Sequence, residues 1–144
     1  VGVPVVVKGV HTAEDALLAA EHGAAGIVVS NHGGRQLDGV APSIELLRPV
    51  VEAVGDRLEV WFDGGVRRGT DVAKALALGA RATLAGRAPV WGLAADGEDG
   101  ARAVLALLRE ELEIALHLLG VASPAALGPR HVEVRGHGRW ASSI

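Results

Sequence analysis

The feature that most constrains the fold of this chain is a pattern that recurs four times, a short apolar run followed by a segment with helical periodicity. The four runs cover residues 4–7, 26–29, 58–62 and 82–85. They are mostly continuous rather than alternating, which is typical of parallel strands that are covered on both faces. A strand that is followed by a helix is the repeating unit of α/β folds. The pattern therefore predicts a parallel sheet built from four βα units.

The ends of the predicted helices are marked by capping residues. Thr12 precedes a first helix that ends at Gly23, and Ser43 is placed to cap a second helix that ends at Gly55. A third helix is predicted over the segment GTDVAKALALGA. The last long helix, over residues 100–119, carries leucine and valine at three- and four-residue steps. We expect this helix to lie on the outside of the sheet.

Four βα units make half of a (β/α)8 TIM barrel, whose complete form needs about 250 residues. The chain has 144 residues, of which 49% are hydrophobic, so it can form a packed core but not eight such units. A small open doubly wound sheet is the alternative, although the first strand lacks the G-x-G-x-x-G turn of the dinucleotide-binding form. We predict an α/β domain over residues 1–128 and a loosely ordered tail over residues 129–144, which are rich in Gly, Pro and Ser.

Composition excludes several classes of function. The net charge of −3, the sequence pI near 6.1 and the lack of any basic cluster longer than Arg67-Arg68 argue against a nucleic-acid partner. There is no cysteine, which excludes thiolate chemistry and favours a cytoplasmic location. No stretch reaches the roughly 20 apolar residues of a membrane span, and the histidines show no spacing that indicates a metal site.

Polar side chains and glycines follow each of the four predicted strands. Because parallel βα folds bind ligands at the carboxyl ends of their strands, these positions are the candidate site. They are Lys8 after the first strand, Ser30, His32 and Arg35 after the second, Asp63, Gly64, Gly65 and Arg67 after the third, and Gly86 and Arg87 after the fourth.

The segment VVSNHGGRQLDG combines a possible base with a fixed cation. His32 supplies an imidazole, the side chain that most often acts as a general base, and Arg35 can hold a carboxylate through two parallel hydrogen bonds. This pair fits proton abstraction from a small anionic substrate, and Lys8 is placed to stabilise negative charge that develops on a cofactor. Residue type alone leaves other interpretations open, a packed or surface histidine and a surface lysine with a snorkelling stem.

Two glycine-rich segments with arginine follow the third and fourth strands, DGGVRRGTD at residues 63–71 and AGRAPVWG at residues 85–92. Free backbone N–H groups and the helix dipole favour an anion at such junctions. The two segments together predict a phosphate site. The alternative is that the glycines only make tight turns and that the arginines are solvated surface charges.

The chain resembles the C-terminal half of the FMN-dependent 2-hydroxy acid oxidase/dehydrogenase family, which includes glycolate oxidase, lactate oxidase and lactate monooxygenase. The matching segments, in order, are VVVKGVHTAEDA, GIVVSNHGGRQLDG, DGGVRRGTDVAKALALGA and GRAPVWGLA, over residues 4–94. The resemblance implies the C-terminal half of a TIM barrel, FMN as cofactor and the oxidation of a small 2-hydroxy acid to the 2-oxo acid. It also implies a homo-oligomer in the full-length parent. The chain departs from the family in having His11 where an apolar residue is common and in having no tyrosine.

The resemblance also implies a role for each candidate residue. His32 would be the catalytic base and would contact the substrate, whose carboxylate Arg35 would bind. The implied cofactor-binding residues are Lys8, Ser30, Asp63, Gly64, Gly65, Val66, Arg67, Gly86 and Arg87. Lys8 and Ser30 would contact the flavin ring, whereas the residues of the third and fourth strand ends would line the ribityl chain and phosphate. The resemblance implies no metal.

Two other functions stay open at this point. The chain could be a half-barrel without turnover that binds phosphate or pairs with another half-barrel, because an unclosed sheet leaves strand edges unpaired. It could also be a different FMN- or phosphate-binding TIM-barrel enzyme, such as inosine monophosphate dehydrogenase or type 2 isopentenyl diphosphate isomerase. The segment SNHGGRQ discriminates, since those enzymes do not need a histidine and a carboxylate-binding arginine at this strand end.

Overall fold

The computed structural model describes residues 2–133, and a parallel sheet lies at its centre. The strands are β1 (Val6–Val10), β2 (Gly26–Ser30), β3 (Glu59–Asp63) and β4 (Ala82–Leu84). Neighbouring strands pair in parallel in the order β1-β2-β3-β4. The predicted sheet of four βα units is therefore confirmed.

A helix follows each strand. The helices are α1 (Ala13–Glu21), α2 (Ser43–Val54), α3 (Gly69–Ala77) and α4 (Arg87–Leu118), and short 3₁₀ turns lie at His32–Gly34, Gly55–Arg57, Pro124–Ala126 and Pro129–His131. Within residues 2–133, no helix combines the length and the apolar character needed to cross a membrane.

The first strand begins two residues later than the apolar run predicts. Val5 lies before β1 with 53% of its surface exposed, whereas Lys8 continues the pairing with β2. The register shifts between Lys8 and Val10, which marks a β-bulge around Gly9. A bulge of this kind redirects the side chains at the end of a strand, and here it lies beside the candidate site.

The two predicted N-caps have different outcomes. The hydroxyl of Thr12 accepts a hydrogen bond from the N–H of Asp15 at 3.1 Å, which confirms Thr12 as the cap of α1. The prediction for Ser43 is wrong, because Pro42 holds the cap position of α2 and Ser43 is its first helical residue. The Ser43 hydroxyl instead accepts the N–H of Asn31, in the loop after β2.

The last helix begins much earlier than residue 100. α4 starts at Arg87, and its helical angles are interrupted at Asp96 and Gly97, where φ is −152° and 55°. The predicted helix corresponds to the part of α4 after this bend. The first part contains Pro89, which the first turn of a helix tolerates because its N–H groups have no partner within the helix.

The long part of α4 packs against α3 rather than directly on the sheet, so the predicted position of this helix is wrong. The carboxylate of Glu111 accepts the N–H of Gly69, the first residue of α3, at 2.7 Å. An apolar stripe shows that a helix is packed but does not identify its neighbour.

The two faces of the sheet are covered differently. Side chains that alternate along β2 and β3 form the main core with helices α1 to α3, and they include Ile27, Val29, Val60 and Phe62. The opposite face carries Val28 and Trp61 and ends, at the carboxyl edge, in Lys8, Ser30 and Asp63. Strand pairing sets Lys8 beside Val28 and Ser30 beside Asp63 on this face. The polar edge of this second face is the candidate site.

Part of the predicted tail over residues 129–144 lies outside the described residues. Of the described part, Pro129–His131 forms a 3₁₀ turn beside α3, and Val132 packs against the core. The looseness predicted for residues 134–144 stays a prediction.

Candidate active site at the carboxyl ends of the strands

Three side chains from three neighbouring strands meet at the carboxyl edge of the sheet. The Nζ of Lys8 lies 2.8 Å from Oδ2 of Asp63 and 3.1 Å from Oγ of Ser30. The Ser30 hydroxyl donates to the same Oδ2 atom, and only 1% of the Ser30 residue is exposed. This cluster fixes the position of a lysine ammonium at the end of the sheet.

The surroundings of Asp63 keep its carboxyl group ionised. Partial burial opposes the charge, but the hydrogen bonds from Lys8 and Ser30, together with the charges of Lys8 and His32, hold the pKa of Asp63 below its ordinary value of 3.8. The side chain of Lys8 is 40% exposed. Water therefore screens part of its ion pair with Asp63.

We expect Lys8→Met to raise the pKa of Asp63, since burial would then act against fewer favourable contacts. A lowered folded-state pKa stabilises the protein above the unfolded value of 3.8, and this stability is lost as pH falls through the folded-state pKa. In Lys8→Met the folded-state pKa lies closer to the unfolded value, so the stability contributed by Asp63 should be smaller and less of it should be lost on acidification. Urea unfolding midpoints from about pH 3 to about pH 7 measure the difference.

The matched control is Lys74→Met, because Lys74 forms an exposed pair with Asp71 at 3.7 Å. This variant should keep the wild-type profile. Identical profiles for all three proteins would contradict the stated role of Lys8.

Residues 30–34 hold the loop that carries His32. His32 has a φ of 55°, which is unusual for a residue other than glycine. Its N–H donates to Oγ of Ser30 at 3.0 Å, and Oδ1 of Asn31 accepts the N–H of Gly33 at 3.0 Å. The carbonyl of Asn31 accepts the N–H of Gly34 at 2.9 Å. The loop thus holds a strained residue at a defined position, which is frequent at functional sites.

An open groove of about 410 Å³ is lined by at least one predicted residue from each of the four strand ends. Its walls are formed by Lys8, His32, Gly33, Arg35, Asp63, Gly64, Leu84, Ala85, Gly86, Arg87 and Val90. The fixed charges of these residues are three cations, Lys8, Arg35 and Arg87, and the single carboxylate of Asp63. This balance suits an anionic ligand.

The chemistry of the groove fits the phosphate of FMN. Gly86 holds the cap position of α4 and lines the groove, and no side chain caps the N–H groups of the first turn. The guanidinium of Arg87 donates to the carbonyl of Gly33 at 3.2 Å, which links the loops after β2 and β4. An anion here would meet backbone donors and an arginine together.

Gly64 brings the backbone of the loop after β3 close to the loop after β2. Its φ is 112°, and a Cβ atom would lie 2.7 Å from Oγ of Ser43 and 3.0 Å from Oδ1 of Asn31. Only glycine fits both the conformation and the space. This wall of the groove therefore consists of bare backbone.

The structure does not bring every predicted residue into the groove. The side chain of Arg67 is exposed and does not line it, although its N–H donates to Asp71 at 3.1 Å. The side chain of Val66 lies in the core, so its backbone is the part that remains for a cofactor. Gly65 lines a different cavity, of about 250 Å³, whose lining shares Gly64 with the groove. Among residues 2–133, no cluster of His, Asp and Glu side chains is arranged to hold a metal ion.

Sequence reasoning missed the supports of the His32 loop, Asn31 and Ser43. Asn31 carried a usable signal, because asparagine directly before a tight turn often accepts a backbone N–H two residues further on. Ser43 carried only a misleading signal, since a serine at the start of a helix resembles a cap.

A family described as FMN-dependent dehydrogenase matches residues 1–134 of the chain. Mouse 2-hydroxyacid oxidase 2 is 56% identical over 126 residues, which are 88% of this chain and 36% of that protein. Spinach glycolate oxidase is 54% identical over 129 residues, which are 90% of this chain and 35% of that protein. The chain therefore spans about a third of the length of these curated relatives.

Solved structures of mandelate oxidase resemble the fold over most of the chain. The complex with benzoyl-formic acid superposes with a TM-score of 0.85 at 54% identity, over 88% of this chain and 38% of that one. A mandelate oxidase variant with the monooxide FMN adduct also gives a TM-score of 0.85 at 54% identity, over 88% of this chain and 40% of that one. These similarities confirm that the four βα units correspond to half of a (β/α)8 barrel.

Proposed function

Because the chain belongs to the FMN-dependent dehydrogenase family, we propose that its protein oxidises a small 2-hydroxy acid to the 2-oxo acid with FMN as cofactor. The observation that carries the proposal is the groove in which His32 and Arg35 share a wall with Lys8 and Arg87. The names of the relatives, 2-hydroxyacid oxidase and glycolate oxidase, support the same class of substrate.

The proposed roles of His32 and Arg35 follow from their position on one loop. Arg35 binds the substrate carboxylate through two parallel N–H donors and thereby orients the α-carbon. His32 accepts a proton from the substrate, either from the hydroxyl group or from the α-carbon. FMN supplies the acceptor for the two electrons.

The proposed cofactor contacts divide into two groups. Lys8, Ser30 and Asp63 form one hydrogen-bonded cluster, so they would meet the flavin ring and ribityl chain together. The phosphate would lie at the loops after β3 and β4, against Gly64, Gly65, the backbone of Val66, Arg67, Gly86 and Arg87. Lys8 would place a positive charge beside the flavin ring, and a positive charge there favours the acceptance of electrons.

A second candidate function is favoured by the open edge of the sheet. Val5, Val6 and Val7 are between 38% and 53% exposed on and beside β1, and no described strand pairs with the free edge of β1. Residues 1–144 alone could thus pair with another half-barrel, or bind phosphate, without turnover. The proposed oxidation of a 2-hydroxy acid has three further parts. They are lactate as a substrate, a cytoplasmic location and a homo-oligomer of the full-length protein.

The experiment that tests the function is a titration of the complete protein with FMN, followed by anaerobic addition of glycolate, lactate or mandelate. We expect FMN to bind and one of these acids to bleach its absorbance. If the protein retains FMN but none of these acids reduces it, the second candidate function, binding without turnover, is favoured instead.

Arg35→Met should raise KM for the hydroxy acid about 100-fold, because the carboxylate loses a charge-assisted pair of hydrogen bonds. FMN affinity should stay unchanged, since Arg35 lies on the loop after β2 whereas the phosphate donors follow β3 and β4. Steady-state kinetics and FMN fluorescence measure the two effects. Arg57→Met is the matched control, because Arg57 bonds to carbonyl groups at the end of α2, away from the groove. A normal KM in Arg35→Met would refute the assigned role.

A further inference from the structure

We propose that Ser43 is a positioning residue that holds the His32 loop in its working conformation. This inference rests on the proposed function, because it assigns His32 as the base. Ser43 is the first residue of α2 and is only 3% exposed. It belongs to none of the strand ends, so no sequence pattern connects it with the site.

The contact between Ser43 and the loop is a buried hydrogen bond. Oγ of Ser43 accepts the N–H of Asn31 at 2.8 Å. This N–H lies directly after β2 and immediately before His32, so the bond fixes the point where the chain leaves the sheet. Because Ser43 is buried, bulk water cannot easily take the place of its hydroxyl group. Loss of the hydroxyl would therefore leave the N–H of Asn31 without a partner.

A network of hydrogen bonds transmits this fixation to His32. Asn31, once held by Ser43, accepts the N–H of Gly33 through its side chain and the N–H of Gly34 through its carbonyl. These two bonds enclose His32, whose φ of 55° needs support from its surroundings. Loss of the Ser43 hydroxyl would therefore relax the loop at its origin.

The opposite side of Ser43 is held by the loop after β3. The bare Cα of Gly64 packs so closely that a Cβ atom there would lie 2.7 Å from Oγ of Ser43. Ser43 is thus fixed between the loops after β2 and β3. Ser43 also lines a cavity of about 250 Å³.

The test compares Ser43→Thr with Ser43→Val in the complete, FMN-loaded protein. The two replacements have nearly the same shape, but only threonine keeps the hydroxyl group. We expect Ser43→Val to lower kcat about 10- to 100-fold, because small displacements of a catalytic group have effects of this size, while KM and FMN affinity stay near wild type. Ser43→Thr should keep most of the wild-type kcat.

A second readout does not depend on turnover. Amide hydrogen exchange over residues 28–40 should be faster in Ser43→Val than in Ser43→Thr. Equal loss of kcat in both variants, or equal exchange, would overturn the proposal, since packing rather than the hydroxyl group would then matter. If no form of the protein oxidises a hydroxy acid, the proposed function fails, and the exchange rates still decide whether Ser43 holds the loop.

Discussion

Replacing His32 with asparagine should lower kcat/KM for the hydroxy acid by about 10²- to 10⁴-fold, the usual contribution of a positioned base. Asparagine is the appropriate replacement because it tolerates the left-handed conformation that His32 adopts, with φ of 55°. The loop should therefore keep its shape while the proton acceptor is removed. Rapid mixing of the FMN-loaded protein with substrate measures the rate of flavin reduction directly.

The control for this variant is His117→Asn, since His117 is an exposed residue in the last turn of α4. It should reduce flavin at the wild-type rate. If flavin reduction in His32→Asn stays within a few-fold of the wild-type rate, a group other than His32 accepts the substrate proton.

Gly69→Ala should destabilise the protein by about 3 kcal/mol, because α3 and α4 meet at this glycine without space for a side chain. A Cβ atom would lie 2.1 Å from the backbone nitrogen of Leu112 and 2.4 Å from the carbonyl carbon of Glu111. These are backbone atoms of a long helix, so α4 would have to move away. The displacement would also weaken the bond from the Gly69 N–H to Glu111. The better helix propensity of alanine, about 1 kcal/mol, is too small to compensate.

Urea unfolding of the complete protein measures this effect, and Gly128→Ala is the matched control. Gly128 has open space around its Cα and an extended φ of −162°. Its replacement should change the stability by less than about 0.5 kcal/mol. If the two variants unfold at the same urea concentration, the contact between α3 and α4 is not as close as described.

The sheet was predictable because hydrophobic continuity identifies buried parallel strands. The runs at β2 and β3 match within one residue, since both strands are covered by helices. The run at β1 was displaced because Val5 and its neighbours are apolar without being buried. Hydrophobic character alone does not distinguish a buried strand from an exposed apolar segment.

The candidate site was predictable as a set of positions but not as a set of contacts. Parallel topology alone places Lys8, His32 and Asp63 at one edge of the sheet. The ion pair between Lys8 and Asp63 joins residues 55 positions apart, and no local pattern encodes such a pairing. The role of Ser43 was not predictable for a related reason, because its hydrogen-bond partner, Asn31, lies 12 residues away in the sequence.

The sequential strand order also has a consequence for how the chain folds. Each strand pairs with the next one along the chain, so every pairing requires closure of only one short crossover, and units can join the growing sheet as they leave the ribosome. The bond between Lys8 and Asp63 cannot form until the third unit has docked. Assembly of the polar edge therefore depends on docking of the third unit, and a chain that ends after the second unit lacks the carboxylate of this cluster.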